Sequence, residues 1–177
     1  MSGKLAHSTV RDIRTLEGAW AELVAGTPRP RFTQRWEWHR AAAEHLVTDV
    51  TYHVFRRGDR PVSVIPLVRA GPGVMELPHH REIFVADVPL ASRAAWDDSV
   101  PAMVHALEAD NPGGLDAIHF RGLSPGSGLL NALLIWGSHV RLTPLEGTFF
   151  LRCVDGGGMP GLSPKHLRNV DLSLIHI

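Results

Sequence analysis

The order of apolar patterns along the 177 residues predicts an α/β sandwich with a mixed sheet. Three observations carry that expectation. Stretches with apolar residues at helical spacing alternate with short β-branched and aromatic runs. A hairpin signal lies between two of the helical stretches, so antiparallel pairing is mixed with helical crossovers. No unit recurs along the chain, and the alternation fits neither a barrel nor a bundle.

Taken in order, the first helix is expected over about Leu16 to Ala25, capped by Thr15, ended by Gly26 and kept from resuming by Pro28 and Pro30. Leu16, Trp20, Leu23 and Val24 form its apolar stripe. Thr33 is placed to cap a second helix, about Gln34 to Leu46, with Trp36, Ala43 and Leu46 on one face and Trp38 and Ala42 on another. Val50-Thr51-Tyr52-His53-Val54-Phe55 then reads as a strand, Arg56-Arg57-Gly58-Asp59 as a turn, and Val62 to Val68 as the returning strand. Pro66 has no N–H to give to a ladder, so it marks an edge or a bulge in that strand.

Val74 to Leu77 and Ile83 to Val85 read as two further short strands, separated by the loop Pro78-His79-His80-Arg81. Ser92 is placed to cap an amphipathic helix in which Trp96, Val100, Met103, Val104 and Leu107 share a face. Asn111-Pro112-Gly113-Gly114 ends it. A buried-type strand follows at Ala117 to Phe120, then a helix over about Leu129 to Trp136. Strands are expected at Val140 to Leu142 and at Thr148 to Leu151.

Composition bounds the class of protein more than its function. Lys+Arg and Asp+Glu are 18 each, so the net charge is zero with neutral histidines. Ten basic residues stand against seven acidic ones up to Arg60, and eight against eleven after it. There is no basic excess of the kind that a nucleic-acid partner calls for. One cysteine, Cys153, excludes a disulfide framework. Met1 to Val10 lacks the apolar core of a signal peptide. The most apolar stretch, Leu129 to Trp136, is far short of the roughly 20 residues that cross a bilayer. A cytoplasmic protein without a membrane span is the expectation.

The last residues break the pattern. The chain has seven isoleucines, and two of them fall in its final three positions. Leu-Ser-Leu-Ile-His-Ile, residues 172–177, is what a transposase mosaic-end adapter from sequencing libraries would encode, and such scars are set apart from fold reasoning. The alternative is a native apolar strand. On the first reading the natural sequence runs on beyond Asn169.

Several segments, in this order, resemble one family. Phe32-Thr33-Gln34-Arg35-Trp36-Glu37-Trp38 resembles the F-x-S-x-x-W segment of the CelD/BcsL-like acetyltransferases, a GNAT-related group with a BioF-like acetyltransferase domain. Val64-Ile65-Pro66-Leu67 is similar to that family's v-x-P-L strand. Asp87-Val88-Pro89-Leu90 falls where an Asp-Tyr segment precedes an apolar strand, with Val88 in place of the usual Tyr. Leu162-Ser163-Pro164-Lys165-His166-Leu167-Arg168-Asn169 looks like the L-s-x-k-x-R-x-n segment that opens the C-terminal acetyltransferase domain, with Pro164 unusual so near a helix start. The family pairs two GNAT-like halves, as the Fem-type transferases do.

The resemblance implies a GNAT-like fold: a mixed, mostly antiparallel sheet flanked by helices. It implies an N-terminal GNAT-like domain over residues 1–160 and the start of a truncated C-terminal domain at 161–171. The implied activity is acyl transfer from acetyl-CoA or another acyl-CoA to an amine or hydroxyl acceptor, in exopolysaccharide or cellulose biosynthesis. The acceptor is a small molecule or saccharide, and the partner is the C-terminal domain of the same protein. The alternative is a non-catalytic GNAT-like module that binds a saccharide or a protein.

Candidate chemistry is sparse. A GNAT cofactor loop, Arg/Gln-x-x-Gly-x-Gly/Ala, places backbone N–H groups at a helix N-terminus to hold the CoA pyrophosphate. Gly71 with Gly73, Gly126 with Gly128, and Gly156 with Gly158 have Val68, Leu123 and Cys153 where the Arg or Gln belongs. This chain alone is therefore expected to be inactive. Asp87, after an apolar strand, is the catalytic candidate, and a turn or cap aspartate accounts for it equally. Lys165 and Arg168, three apart, are the cofactor-phosphate candidates, against a solvated basic face. Gly126-Ser127-Gly128 precedes a helix and reads as an anion cradle or an ordinary helix start.

No metal site is expected among the 11 histidines. His79 and His80 diverge as neighbours, His39 and His45 share no helical face, and there is no His-Glu-x-x-His pair. Cys153 reads as a small buried hydrophobe, with a nucleophile as the alternative where a base lies nearby. Trp20, Trp36 and Trp38 read as core packing, with sugar stacking as the alternative.

Overall fold

The hairpin anticipated from the sequence is the centre of the sheet. In a computed structural model that describes residues 5–27, 30, 32–46, 49–78, 94–111, 113–120, 123 and 129–130, β2 (Thr51–Arg57) pairs antiparallel with β3 (Arg60–Gly71). Tyr52 stands opposite Pro66 and Val54 opposite Val64. Gly58, at φ 61°, takes the first of two turn positions, where a tight hairpin needs a positive φ. The strands are longer than the apolar runs because the ladder extends through Arg56, Arg57 and Arg60. Opposite Arg56 the register shifts and leaves Val62 as the extra residue of a bulge.

The sheet has five strands in the order β1-β2-β3-β4-β5. β4 (Val74–Glu76) is antiparallel to β3, and β5 (Ala117–His119) is parallel to β4. A parallel neighbour requires a crossover. The chain between these two strands includes α3 (Ala94–Ala109). β1 (Leu5–Val10) is antiparallel to β2 and lies at the sheet edge. The sequence gives no strand signal at β1. Its alternation is weak, and its partner lies more than 40 residues away. Pro66 marks no bulge: the two register shifts lie at Phe55/Arg56 and Arg69/Gly71. β4 pairs with β3 only from Val68 onward, so among the described residues position 66 has its ladder neighbour on the β2 side alone.

Helices cover both faces. Asp12 caps a 3-10 turn, Ile13–Leu16, by accepting from the Arg14 N–H, and the turn leads into α1 (Glu17–Ala25). Thr15, expected as the cap, instead donates to the Asp12 carbonyl at 2.8 Å inside that turn. A second 3-10 turn, Phe32–Gln34, precedes α2 (Trp36–His45). Thr33 lies within this turn, so it is no cap: its hydroxyl is buried without a partner among the described residues, and extended Arg35 holds the cap position. Trp20, Leu16, Leu23 and Ile13 pack with Tyr52, Val54 and Val64 on one face of the hairpin. Leu46, expected on the core face of α2, is 43% exposed just past the helix end.

On the opposite face Phe55, Ile65 and Leu67 pack with Met75, Leu77, Leu107 of α3 and Leu129. The last turn of α3 is closed by Asn111, whose Nδ2 donates to the Leu107 carbonyl at 2.6 Å while Arg69 Nη2 donates to its Oδ1 at 2.7 Å. The described residues are thus α/β, a mixed and mostly antiparallel sheet with helices, and all belong to the compact unit Met1–Thr143. The strands expected at Ile83–Val85, Val140–Leu142 and Thr148–Leu151, the helix beyond Leu130 and the boundary near residue 160 lie outside the described residues.

Two glycine substitutions separate backbone strain from propensity. Gly73, in the β3–β4 turn, has φ 65°, and a Cβ there meets the Asp116 carboxylate, so Gly73→Ala should destabilise by about 1–3 kcal/mol. Gly18 in α1 has open space around it, so Gly18→Ala should stabilise by about 0.5–1 kcal/mol. Urea unfolding midpoints of the two variants are expected to move in opposite directions.

Candidate functional site

The pairing of β1 with β2 creates a polar group inside an apolar face. Thr9 stands opposite His53 and His7 opposite Phe55, so the two histidines are diagonal neighbours on the side that α3 covers. His7 Nε2 lies 3.1 Å from His53 Nδ1, with the rings stacked at 5.3 Å between centroids and 9° between planes. Phe55 borders the His7 ring at 5.0 Å. Asp110, one residue beyond α3, supplies a carboxylate. One ligand atom from each of His7, His53 and Asp110 lies within 4.8 Å of the other two.

Rigid elements hold all three residues. His53 is in a strand flanked on both sides, 2% exposed. His7 is set by the β1 register, and Asp110 by the end of α3, which the Arg69–Asn111 hydrogen bond ties to β3. His53 Nε2 is buried and has no partner among the described residues. Burying an unpaired N–H costs about 1–3 kcal/mol. The lower-energy tautomer therefore carries the proton on Nδ1, which donates to Nε2 of His7. Ser63, also on this face, has a buried hydroxyl without a partner among the described residues.

Electrostatics keeps both rings neutral near pH 7. Burial first, and the neighbouring His7 second, push His53 down to about 4, with Asp110 acting against both. Burial also lowers His7, again opposed by Asp110. His39 is held at about 4 by burial, against a hydrogen bond to the Thr33 carbonyl at 2.8 Å.

A second feature is a cleft of about 450 Å³ near the end of β1, lined by Arg11, Asp49, Thr51, Val68, Arg69 and Met75. Asp49 has φ 59°, a left-handed conformation that aspartate tolerates better than most residues. Arg11 and Arg69 make the cleft partly cationic.

The sequence candidates meet this geometry unevenly. Asp87, Lys165 and Arg168 lie outside the described residues, as do His79, His80, Cys153 and the Gly126-Ser127-Gly128 segment. Trp20 is a buried core residue, and half-buried Trp36 packs against the same cluster. Their indole N–H groups donate to the Gln34 and Ile13 carbonyls, at 2.8 and 3.1 Å. Trp38 is half-buried, edge-on to Phe32 at 5.1 Å. His39 packs on Trp20 at 4.6 Å, whereas His45 is exposed beside Glu44.

The sequence does not single out His7, His53 or Asp110. One signal was legible, a histidine inside the apolar run Tyr52-His53-Val54-Phe55. Nothing local marks His7 or Asp110, because the register of β1 and the end of α3 bring them there. Comparisons of the chain with family models, curated proteins and solved structures return no match.

The buried histidines predict acid sensitivity. A histidine held near 4 in the fold and near 6.5 when unfolded takes up protons preferentially in the unfolded state. Its stabilising contribution is complete above about pH 6.5 and falls away as the pH drops towards 4. For His53 alone the loss is on the order of 3 kcal/mol. Urea midpoints should be flat from pH 7 to 8 and fall steeply between pH 6.5 and 4.5, with a shallower fall in His39→Gln. Midpoints independent of pH across that interval would contradict the assignment.

Proposed function

We propose that this chain is the N-terminal, GNAT-like part of an acyl-CoA-dependent acyltransferase of the CelD-like kind. The observation that carries the reading is the sheet itself. β1 to β4 run antiparallel, and the β4–β5 pair, the one parallel junction among the described residues, is reached through α3. That agrees with the mixed, mostly antiparallel sheet between helices that the motif order implies. Ligands of open sheets gather outside the carboxyl ends of parallel strands. The connection that leaves the carboxyl end of β4 for α3 contains Asp87.

In this reading the acceptor's amine or hydroxyl attacks the thioester carbonyl carbon. A general base, with Asp87 as the candidate, takes the acceptor proton. The tetrahedral oxyanion then collapses with cleavage of the C–S bond, and CoA leaves as the thiolate, which is protonated to the thiol. Lys165 and Arg168 are candidates to hold the cofactor phosphates. The acceptor is a saccharide or a small molecule.

One observation favours a second reading. The chain has no copy of the Arg/Gln-x-x-Gly-x-Gly/Ala loop, which suits a non-catalytic module that binds a saccharide or a protein and lends a cleft one wall. Titration calorimetry separates the two. Heat on titrating acetyl-CoA into the 177-residue chain supports the transferase half, and heat with saccharides alone supports the module. Neither reading expects turnover from this chain by itself. Acetyl-CoA hydrolysis or transfer above a boiled control would overturn the assignment of a cofactor loop outside it.

A further inference from the structure

We propose that His7, His53 and Asp110 form a binding site for a divalent transition-metal ion of the zinc class, with two imidazole nitrogens and one carboxylate oxygen from the chain. The sequence reading sets metals aside because no pair of histidines has ligand spacing along a helix. Here the ligands come from two strands and a helix end, which local spacing does not reveal. The site stands independently of the acyl-transfer reading.

The geometry is close to what such an ion needs. Metal–ligand bonds of roughly 2.0–2.2 Å in a tetrahedral arrangement place ligand atoms about 3.3–3.6 Å apart. His7 Nε2 and His53 Nδ1 are 3.1 Å apart, and a set of one ligand atom from each of His7, His53 and Asp110 lies within 4.8 Å. The adjustment falls on the side chains freest to make it. His7 is half-buried on an edge strand, and Asp110 is exposed. His53 is locked in the interior of the sheet and sets the position of the ion.

Two imidazoles with one carboxylate select zinc-class ions over magnesium and calcium, which prefer all-oxygen sites. The chain supplies three ligand atoms, so a four-coordinate ion would take its fourth ligand from solvent. An ion held by His53 Nδ1 moves that atom's proton to Nε2, which is buried without a partner among the described residues. The metal–nitrogen bonds must therefore outweigh the cost of leaving that buried N–H unpaired. The contact between the two rings is then replaced by two metal–nitrogen bonds.

The test uses the full 177-residue chain, freed of metal with a chelator and titrated with zinc chloride by calorimetry, with cobalt(II) as a spectroscopic reporter. The expected result is one-to-one binding, visible cobalt bands of the intense four-coordinate type, and a zinc-dependent rise in Tm. His7→Gln and Asp110→Asn should each weaken zinc binding about tenfold or more. His105→Gln, an exposed histidine beside Glu108 on α3, should leave it unchanged. Both site variants alter residues outside the buried core, and apo urea midpoints near the parent value confirm that they fold. If His7→Gln does not fold, Asp110→Asn carries the test alone. The proposal is overturned if zinc does not bind one-to-one, if Asp110→Asn binds zinc like the parent, or if cobalt gives the weak spectrum of a six-coordinate, oxygen-rich site.

Discussion

The β2–β3 hairpin is buried on both faces, and the rest of the described structure follows from that. A ribbon with Tyr52, Val54 and Val64 on one side and Phe55, Ile65 and Leu67 on the other leaves no face for water. Each side therefore needs its own layer of apolar helix, and the chain supplies α1 and α2 to one and α3 to the other. The bulge at Val62 belongs to the same requirement. Where the ladder passes from Ser63 to Pro61, the extra residue adds a further apolar side chain to the α3 face.

Burial on both faces explains why polar groups in this sheet have chemical consequences. A histidine on a half-exposed sheet would titrate in water. His53, in the second strand of five, cannot reach water, so it stays neutral and finds its hydrogen-bond partner across the ladder in His7. Edge and interior strands thereby take different roles. The interior strand fixes a ring, and the edge strand contributes one that can adjust. The Arg69–Asn111 hydrogen bond does the same for α3, holding the end from which Asp110 extends.

Much of the architecture was legible because the signals are local. Helical spacing of Leu16, Trp20 and Leu23, the Gly58 turn, and the Asn111 to Gly114 stop each act within a few residues, and the element ends they set fall within two residues of the expected ones. The errors arise where competing local options are nearly equal. Thr15 and Thr33 are chemically suitable caps, yet both lie inside 3-10 turns, and Asp12, with a carboxylate that binds the Arg14 N–H and side chain, displaces the first of them. Leu46 belongs to the apolar stripe of α2 by spacing, but the helix ends at His45 before that position turns inward.

By itself the sequence determined the α/β class, the central hairpin and the helices that cover it, since periodicity and turn chemistry are properties of short windows. It also determined that Arg/Gln-x-x-Gly-x-Gly/Ala is absent. Only the tertiary structure decided that Leu5–Val10 is a strand, because its half-exposed residues gain order from β2 and not from each other. Only the tertiary structure decided that His7 lies against His53, 46 residues away, with Asp110 beside both. Register is set by which side chains must be buried across the whole sheet, and a slip of one residue would turn His7 to the opposite face.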